Sequence, residues 1–146
     1  EGLSLRDLKP YLKGEKLGKV VGITFDDGYR NNLTNALPVL LEFGFSATCY
    51  IVSDRIGSSN IWDINKGIAK KSLMTKVEIN EWLRLGMDIG GHTKNHVDLT
   101  SVTDQIALNE IKDCKRDLED IFKVPVTDFC YPFGKFNKSD NSSRNC

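Results

Sequence analysis

Only two histidines occur in the chain, His92 and His96, and they stand four residues apart directly after Gly90-Gly91. Two imidazoles one helical turn apart project to the same side, an arrangement in which a pair of histidines shares a metal ion. Two histidines alone hold a catalytic divalent ion insecurely. A carboxylate completes a three-ligand set that leaves positions open for water. Asp26-Asp27-Gly28 supplies two adjacent carboxylates. If one binds the ion, its neighbour can take a proton from the metal-bound water, provided it stays ionised beside the cation. A third stretch, Tyr131-Pro132-Phe133-Gly134, can aim backbone N–H groups at a developing oxyanion and offer an aromatic floor to a sugar ring. Each stretch taken singly also reads blandly, as surface histidines, a turn or helix cap at Asp-Asp-Gly, and a strand broken by proline. Their joint supply of ligands and a base points to hydrolysis at a metal centre.

All three stretches close short apolar runs, residues 20–25, 87–89 and 129–131. These read as buried strands with their chemistry at the C-terminal tips, and parallel α/β barrels gather such tips on one face. Between them, Ser4 caps a short helix carrying Leu5, Leu8 and Leu12, which ends near Gly14. Residues 34–43 form a helix with Pro38 in its first turn and Gly44 as its stop, and residues 45–52 a second strand. Residues 53–73 carry little signal, and Ile61-Trp62 is an apolar patch without an assigned role. Thr75 and Glu78 make a capping box for a helix that runs to Gly86, and the third strand follows at 87–90. Ala107, Ile111, Cys114, Leu118 and Ile121, spaced four, three, four, three, predict a long amphipathic helix over 103–123. Val124-Pro125 ends it, and residues 127–131 form a fourth strand.

This alternation predicts a parallel sheet with right-handed crossovers. Four strands do not close a barrel, so one edge stays open and invites pairing with a second copy, a homo-oligomer. The chain divides into a lead-in (1–18), a core domain (19–136) and a polar tail (137–146) that holds no strand.

Twenty basic and twenty acidic residues balance to zero over 146 positions, which argues against nucleic acid and for a neutral or weakly acidic partner. No stretch approaches the length of a membrane span, and the first residues lack the plan of a signal peptide. The cysteines, at 49, 114, 130 and 146, show neither CxxC pairing nor zinc-ribbon spacing. They suit small buried thiols, a leaning toward the cytoplasm, although a secreted or cell-surface location is the alternative.

Thr24-Phe25-Asp26-Asp27-Gly28, the HTxxH stretch from His92 to His96, and Tyr131-Pro132-Phe133-Gly134 together resemble the first three motifs of the polysaccharide deacetylases, carbohydrate esterase family 4. The resemblance covers residues 19–136. Ala36-Leu37-Pro38, Ala47-Thr48 and Tyr50-Ile51-Val52 are similar to members that act on extracellular poly-N-acetylglucosamine. The resemblance implies a deformed seven-stranded (β/α) barrel, present here in part. It also implies hydrolysis of N- or O-acetyl groups on a bacterial cell-wall saccharide or exopolysaccharide. Carried over by position, Asp26 is the general base, and Asp27, His92 and His96 bind the metal, Zn2+ or else Co2+, Ni2+ or Mn2+. Thr93 braces the histidine loop, the Phe133 N–H holds the oxyanion, and Tyr131, Pro132, Phe133 and Gly134 support the substrate.

Two departures from the family pattern stand out. Cys130 occupies the place of an arginine that usually orients the catalytic aspartate. The fourth and fifth motifs, the latter with a histidine that protonates the leaving group, would lie beyond residue 146. General acid catalysis is worth about a hundred- to ten-thousand-fold, so the expectation is a chain that binds metal but deacetylates poorly by itself. The competing reading is a non-catalytic carbohydrate-binding or scaffold module derived from the same fold.

Overall fold

The computed structural model describes residues 1–136, and the polar tail at 137–146 lies outside the described residues. The strands are β1 (Gly2–Leu3), β2 (Val21–Gly22), β3 (Thr24–Phe25), β4 (Thr48–Ile51) and β5 (Asp88–Gly91). β3, β4 and β5 form a parallel sheet in chain order, with Thr24 opposite Thr48 and Thr48 opposite Asp88. In-register parallel pairing brings the ends of β3 and β5 to the same edge of the sheet, so the loops at Asp26 and His92 emerge together.

The expected fourth strand shrinks to one parallel bridge between Phe129 and Gly91. It is flanked by the Gly91 N–H to the Asp128 carbonyl (2.9 Å) and the Cys130 N–H to the Gly91 carbonyl (3.0 Å). Prolines at 125 and 132 bound the segment, and proline can neither donate to a ladder nor let its predecessor adopt every conformation. The pairing nonetheless carries Cys130 and Tyr131 to the same edge as the other two loops.

Four α-helices flank the strands: α1 (Leu5–Leu12), α2 (Leu37–Glu42), α3 (Lys76–Arg84) and α4 (Asp104–Phe122). The lead-in is woven into the fold, because β1 pairs with β2 and the Leu5 N–H donates to Thr48 Oγ1 at 2.9 Å. From α1, Lys9 reaches Asp128 at 2.8 Å and Arg6 reaches Asp88 at 3.8 Å, at the end of the sheet away from the motif loops. Instead of one helix over 34–43, a π-helical turn, Asn32–Ala36, leads into α2. Pro38 lacks the N–H that would bond to Thr34, and its ring crowds that carbonyl, so the preceding turn widens.

The two predicted caps, at Ser4 and Thr75, are in place, and Thr103 adds a third. Ser4, Thr75 and Thr103 each accept a backbone N–H at the start of α1, α3 and α4, and Thr75 with Glu78 completes a capping box. Leu37, Leu40, Ile79, Trp82, Leu118 and Phe122 turn inward from the helices against Cys49, Ile51 and Ile89 of the sheet. Trp82 is fully buried, donates its indole N–H to the Asp88 carbonyl at 2.8 Å and meets Phe25 edge-on. Cys49 and Cys114 are buried free thiols. Packing accounts for both, and their burial carries no information on compartment, so the leaning toward the cytoplasm gains no support. Among the described residues no helix is long and apolar enough to cross a membrane.

Candidate metal centre

Asp27 lies two residues past the tip of β3, in a left-handed conformation (φ 69°), followed by Gly28 (φ 75°). The tight reversal turns its carboxylate toward the loop after β5. There His92 Nε2 and His96 Nε2 both point at one oxygen, Asp27 Oδ1, at 3.2 and 3.0 Å. The three donor atoms lie within 4.8 Å of one another, the one such cluster among the described residues that could hold a metal ion.

The two histidines do not sit on a helical turn, as their spacing suggested. Residues 92–96 form a loop in which Thr93 and His96 both take positive φ (60°), and this backbone, not helical periodicity, brings the rings together. The His92 Nδ1–H donates to the Cys130 carbonyl at 2.8 Å, which leaves Nε2 as the nitrogen facing Asp27. Thr93 is fully buried, but its hydroxyl has no hydrogen-bond partner among the described residues. Its loop is tied through the backbone instead, by the Ser53 N–H to the Thr93 carbonyl (3.4 Å) and the Asp54 N–H to the Lys94 carbonyl (3.0 Å). Gly90 is required for another reason: a Cβ there would lie 2.5 Å from the Tyr50 ring and 2.8 Å from the Asp128 carbonyl.

Burial opposes a charge on His92, yet its hydrogen bonds to Asp27 and to Cys130 outweigh that and push its pKa up to about 10. Burial likewise opposes ionisation of Asp27, but the two imidazoles hold its carboxyl well below the usual range. The three groups could thus hold a cation. Two nitrogens and a carboxylate oxygen suit zinc and its divalent neighbours, and the His92–carbonyl contact is the kind of outer support that metal-bound histidines have. Tyr29, beside the same loop, is pushed up to about 12 by burial and by the charges of Asp27 and Asp63.

Asp26 is not one of the three clustered groups. It is exposed, and its carboxylate makes neither a hydrogen bond nor an ion pair with another described residue. It borders a cavity of about 390 Å³ shared with Tyr50, Cys130, Tyr131 and Gly134. Two residues of the third motif, Tyr131 and Gly134, therefore face the same space as Asp26. Pro132 is buried, and Tyr131 packs against Phe129 and Phe136, with centroids at 5.1 and 5.4 Å. Phe133 has φ 61°, and the turn is closed by the N–H groups of Gly134 and Lys135, not by its own. Its ring meets His96 edge-on at 4.8 Å.

Three further residues shape the site without announcing themselves in the sequence. Glu110 of α4 accepts the Asn95 backbone N–H and side-chain amide, both at 2.8 Å, and its carbonyl accepts the Lys94 N–H at 3.1 Å. Asn95 is thereby pinned in the middle of the histidine loop. Trp62, from the stretch with little sequence signal, stacks on His96 with centroids 4.2 Å apart. The apolar Ile61-Trp62 pair in a stretch of little signal was the one available sign. Glu110 gave none, since an acidic residue on a helix is ordinarily solvated.

Residues 13–144 match the polysaccharide deacetylase family model. The chain is 33% identical over 120 residues to YxkH of Bacillus subtilis, which carries the family name, covering 82% of this chain and 39% of that protein. It is 27% identical over 143 residues to the poly-beta-1,6-N-acetyl-D-glucosamine N-deacetylase of Staphylococcus epidermidis, covering 89% of this chain and 47% of that one. It thus spans less than half the length of these two relatives. Among solved structures, the Streptococcus pyogenes deacetylase PplD in complex with acetate superposes with a TM-score of 0.80 at 26% identity, over 97% of this chain and 59% of that one. IcaB from Ammonifex degensii, at 19% identity and a TM-score of 0.81, shares the fold. These neighbours identify the parallel sheet and its helices as part of a (β/α) barrel, and with the family match they establish that the chain belongs to the polysaccharide deacetylase family.

Proposed function

We propose that this chain is part of a metal-dependent hydrolase that removes N-acetyl groups from an N-acetylglucosamine polymer. The observation that carries the reading is the convergence of Asp27, His92 and His96 on one point, beside an unpaired Asp26. The Staphylococcus epidermidis relative, named for deacetylating such a polymer, supports the substrate class. Asp27 Oδ1 and the two Nε2 atoms would hold the divalent ion, with Zn2+ the best match to the donor set. When bound, the ion supplies a Lewis acid that activates water and polarises the acetyl carbonyl.

The chain's own groups do the rest. The Asp26 carboxylate is positioned on the cavity wall to take a proton from the attacking water, which requires it to stay ionised beside a cation. The Phe133 N–H, left out of the bonds that close its turn, is available to the oxyanion. Tyr50 and Tyr131 offer ring faces to the sugar. With Cys130 in place of an arginine, no cationic side chain fixes Asp26 among the described residues, so its orientation has to come from the reversal at Asp27-Gly28.

The test compares wild type with Asp26→Asn for acetate released from N-acetylglucosamine oligomers, with Zn2+ stoichiometry followed by calorimetry. Loss of a general base lowers turnover about a hundred- to ten-thousand-fold, and the stoichiometry stays at wild type because Asp26 is not a ligand. Equal rates in the two proteins, above the no-enzyme background, would overturn the assignment of Asp26, and Zn2+ binding with no acetate released by either would favour the binding-module reading.

A further inference from the structure

Residues 59–74, which carry no motif, fold over the metal centre and touch all three motif loops. Antiparallel bridges join Ser59 to Ser72 and Tyr29 to Leu73. The Met74 N–H donates to the Gly28 carbonyl at 2.8 Å and the Arg30 N–H to the Ser72 carbonyl at 3.0 Å, which ties the segment to the Asp27 loop. Within it, the 3-10 turn Ile61–Lys66 brings the half-buried Trp62 onto His96, with ring planes 18° apart and centroids at 4.2 Å. Lys66 Nζ sits 4.3 Å above the Phe133 ring and 3.2 Å from Asp63.

The turn is built, not draped. Asn60 is 1% exposed and Asp63 8%. Asn60 donates to the Ala69 carbonyl (3.3 Å) and to Asp63 (3.4 Å), and accepts the Lys71 N–H (2.6 Å). A buried amide bonded to both sides of the segment fixes where Trp62 points.

The two histidines are oriented differently. A metal-bound histidine ordinarily donates its second ring nitrogen to a carbonyl or carboxylate, which sets the ring plane. His92 does so through Cys130, whereas His96 Nδ1 is buried and has no hydrogen-bond partner among the described residues. Besides Asp27 at Nε2, the His96 ring is held by the indole face of Trp62 and an edge-on contact with Phe133.

We infer that Trp62 is the positioning residue for His96, replacing by stacking the hydrogen bond that orients His92, and that the Asn60–Asp63 turn exists to hold it there. The inference rests on the metal-centre reading above. It assigns a role to a segment that the three motifs do not include, and it makes the histidine ligands unequal.

Trp62 and Trp82 are the only tryptophans, and Trp82 is sealed in the core. Co2+ titrated into the chain therefore quenches mainly Trp62 emission, while calorimetry gives the affinity. Substituting Trp62→Leu, which keeps apolar bulk but cannot stack, lowers Co2+ affinity about 10- to 100-fold, the range for loss of an outer-shell support. Trp62→Phe, which keeps a flat ring, restores affinity toward wild type and abolishes the quenching. A role in packing alone would let Leu rescue as well as Phe.

NMR of the two histidine rings in metal-free protein supplies an independent reading: the His96 ring protons are shifted upfield by the indole in wild type and return in Trp62→Leu. Wild-type Co2+ affinity in Trp62→Leu, or absence of the ring-current shift in wild type, overturns the inference. Failure of wild type to bind any divalent cation overturns the metal-centre reading, and a ring-current shift that persisted would mark that failure as separate from the stack.

Discussion

Asp27, 3.2 Å from Nε2, holds His92 above the usual histidine range, so a cation competes with a proton for that nitrogen, and this sets how binding would respond to pH. One carboxylate oxygen faces two imidazole nitrogens at 3.0 and 3.2 Å, and the shared charge lifts His92 from 6.5 to about 10. A cation must displace that proton to reach Nε2. Below about pH 10 each unit of pH therefore raises the apparent affinity about tenfold, or ~1.4 kcal/mol. Between pH 6.5 and 8.5 the gain is about a hundredfold. Calorimetric titration with Zn2+ or Co2+ at pH 8, in two buffers of different ionisation enthalpy, counts the protons released, and the expected count is close to one. A histidine of ordinary pKa is already neutral at pH 8 and would release almost none, so a count near zero, or an affinity flat from pH 7 to 8.5, would refute the reasoning. Stability follows the same pair. The contribution of His92 is full below 6.5 and is lost as pH rises through about 10. That of Asp27 is present above 3.8 and is lost as pH falls through its depressed folded value. The metal-free fold gains most from this pair between about pH 4 and 6.5, and added metal extends the stable range upward.

Three further substitutions have expected outcomes. Gly90→Ala drives a methyl into the Tyr50 ring and the Asp128 carbonyl, and should cost ~1–3 kcal/mol in urea unfolding with the m-value unchanged. Trp82→Ala empties the centre of the core and leaves the Asp88 carbonyl without its indole donor, for a loss of ~3–5 kcal/mol by the same measurement. Glu110→Ala removes both side-chain contacts to Asn95, and should lower Zn2+ affinity by about tenfold or more while leaving α4 helical by circular dichroism.

Local rules were enough for much of the fold. The caps at Ser4 and Thr75, the stop at Gly44 and the four-three spacing along α4 all act within a few residues, and each is where the sequence placed it. Hydrophobic runs ending in Asp26 and in His92 likewise became strand tips on one edge of the sheet. The errors share a cause. The HTxxH spacing suggested a helical turn, but two left-handed residues make a loop that serves the same end, and backbone conformation at Thr93 and His96 leaves no mark in composition. The fourth strand was overdrawn because apolar character at Phe129 does not reveal that only Gly91 lies within pairing distance. Trp62 and Glu110 were passed over because each acts across more than ten residues of sequence on a partner that only the folded chain brings near.

Those long-range contacts also explain how the site keeps an unfavourable backbone. Of the five non-glycine residues with positive φ among those described, four are Asp27, Thr93, His96 and Phe133, and each such conformation costs of order 1 kcal/mol or more. Glycine at these positions would relieve the strain, but glycine has no carboxylate or imidazole to offer at 27 and 96. The side chain is needed and the left-handed turn is needed to aim it, so the cost has to be met by the surroundings. Glu110 meets part of it by holding Asn95 and Lys94 between the two left-handed residues of the histidine loop. Met74 meets part by bonding the Gly28 carbonyl directly after Asp27. α4 and the 59–74 segment are thus what keep the ligands aimed, and a substitution that loosens either should weaken metal binding before it unfolds the chain.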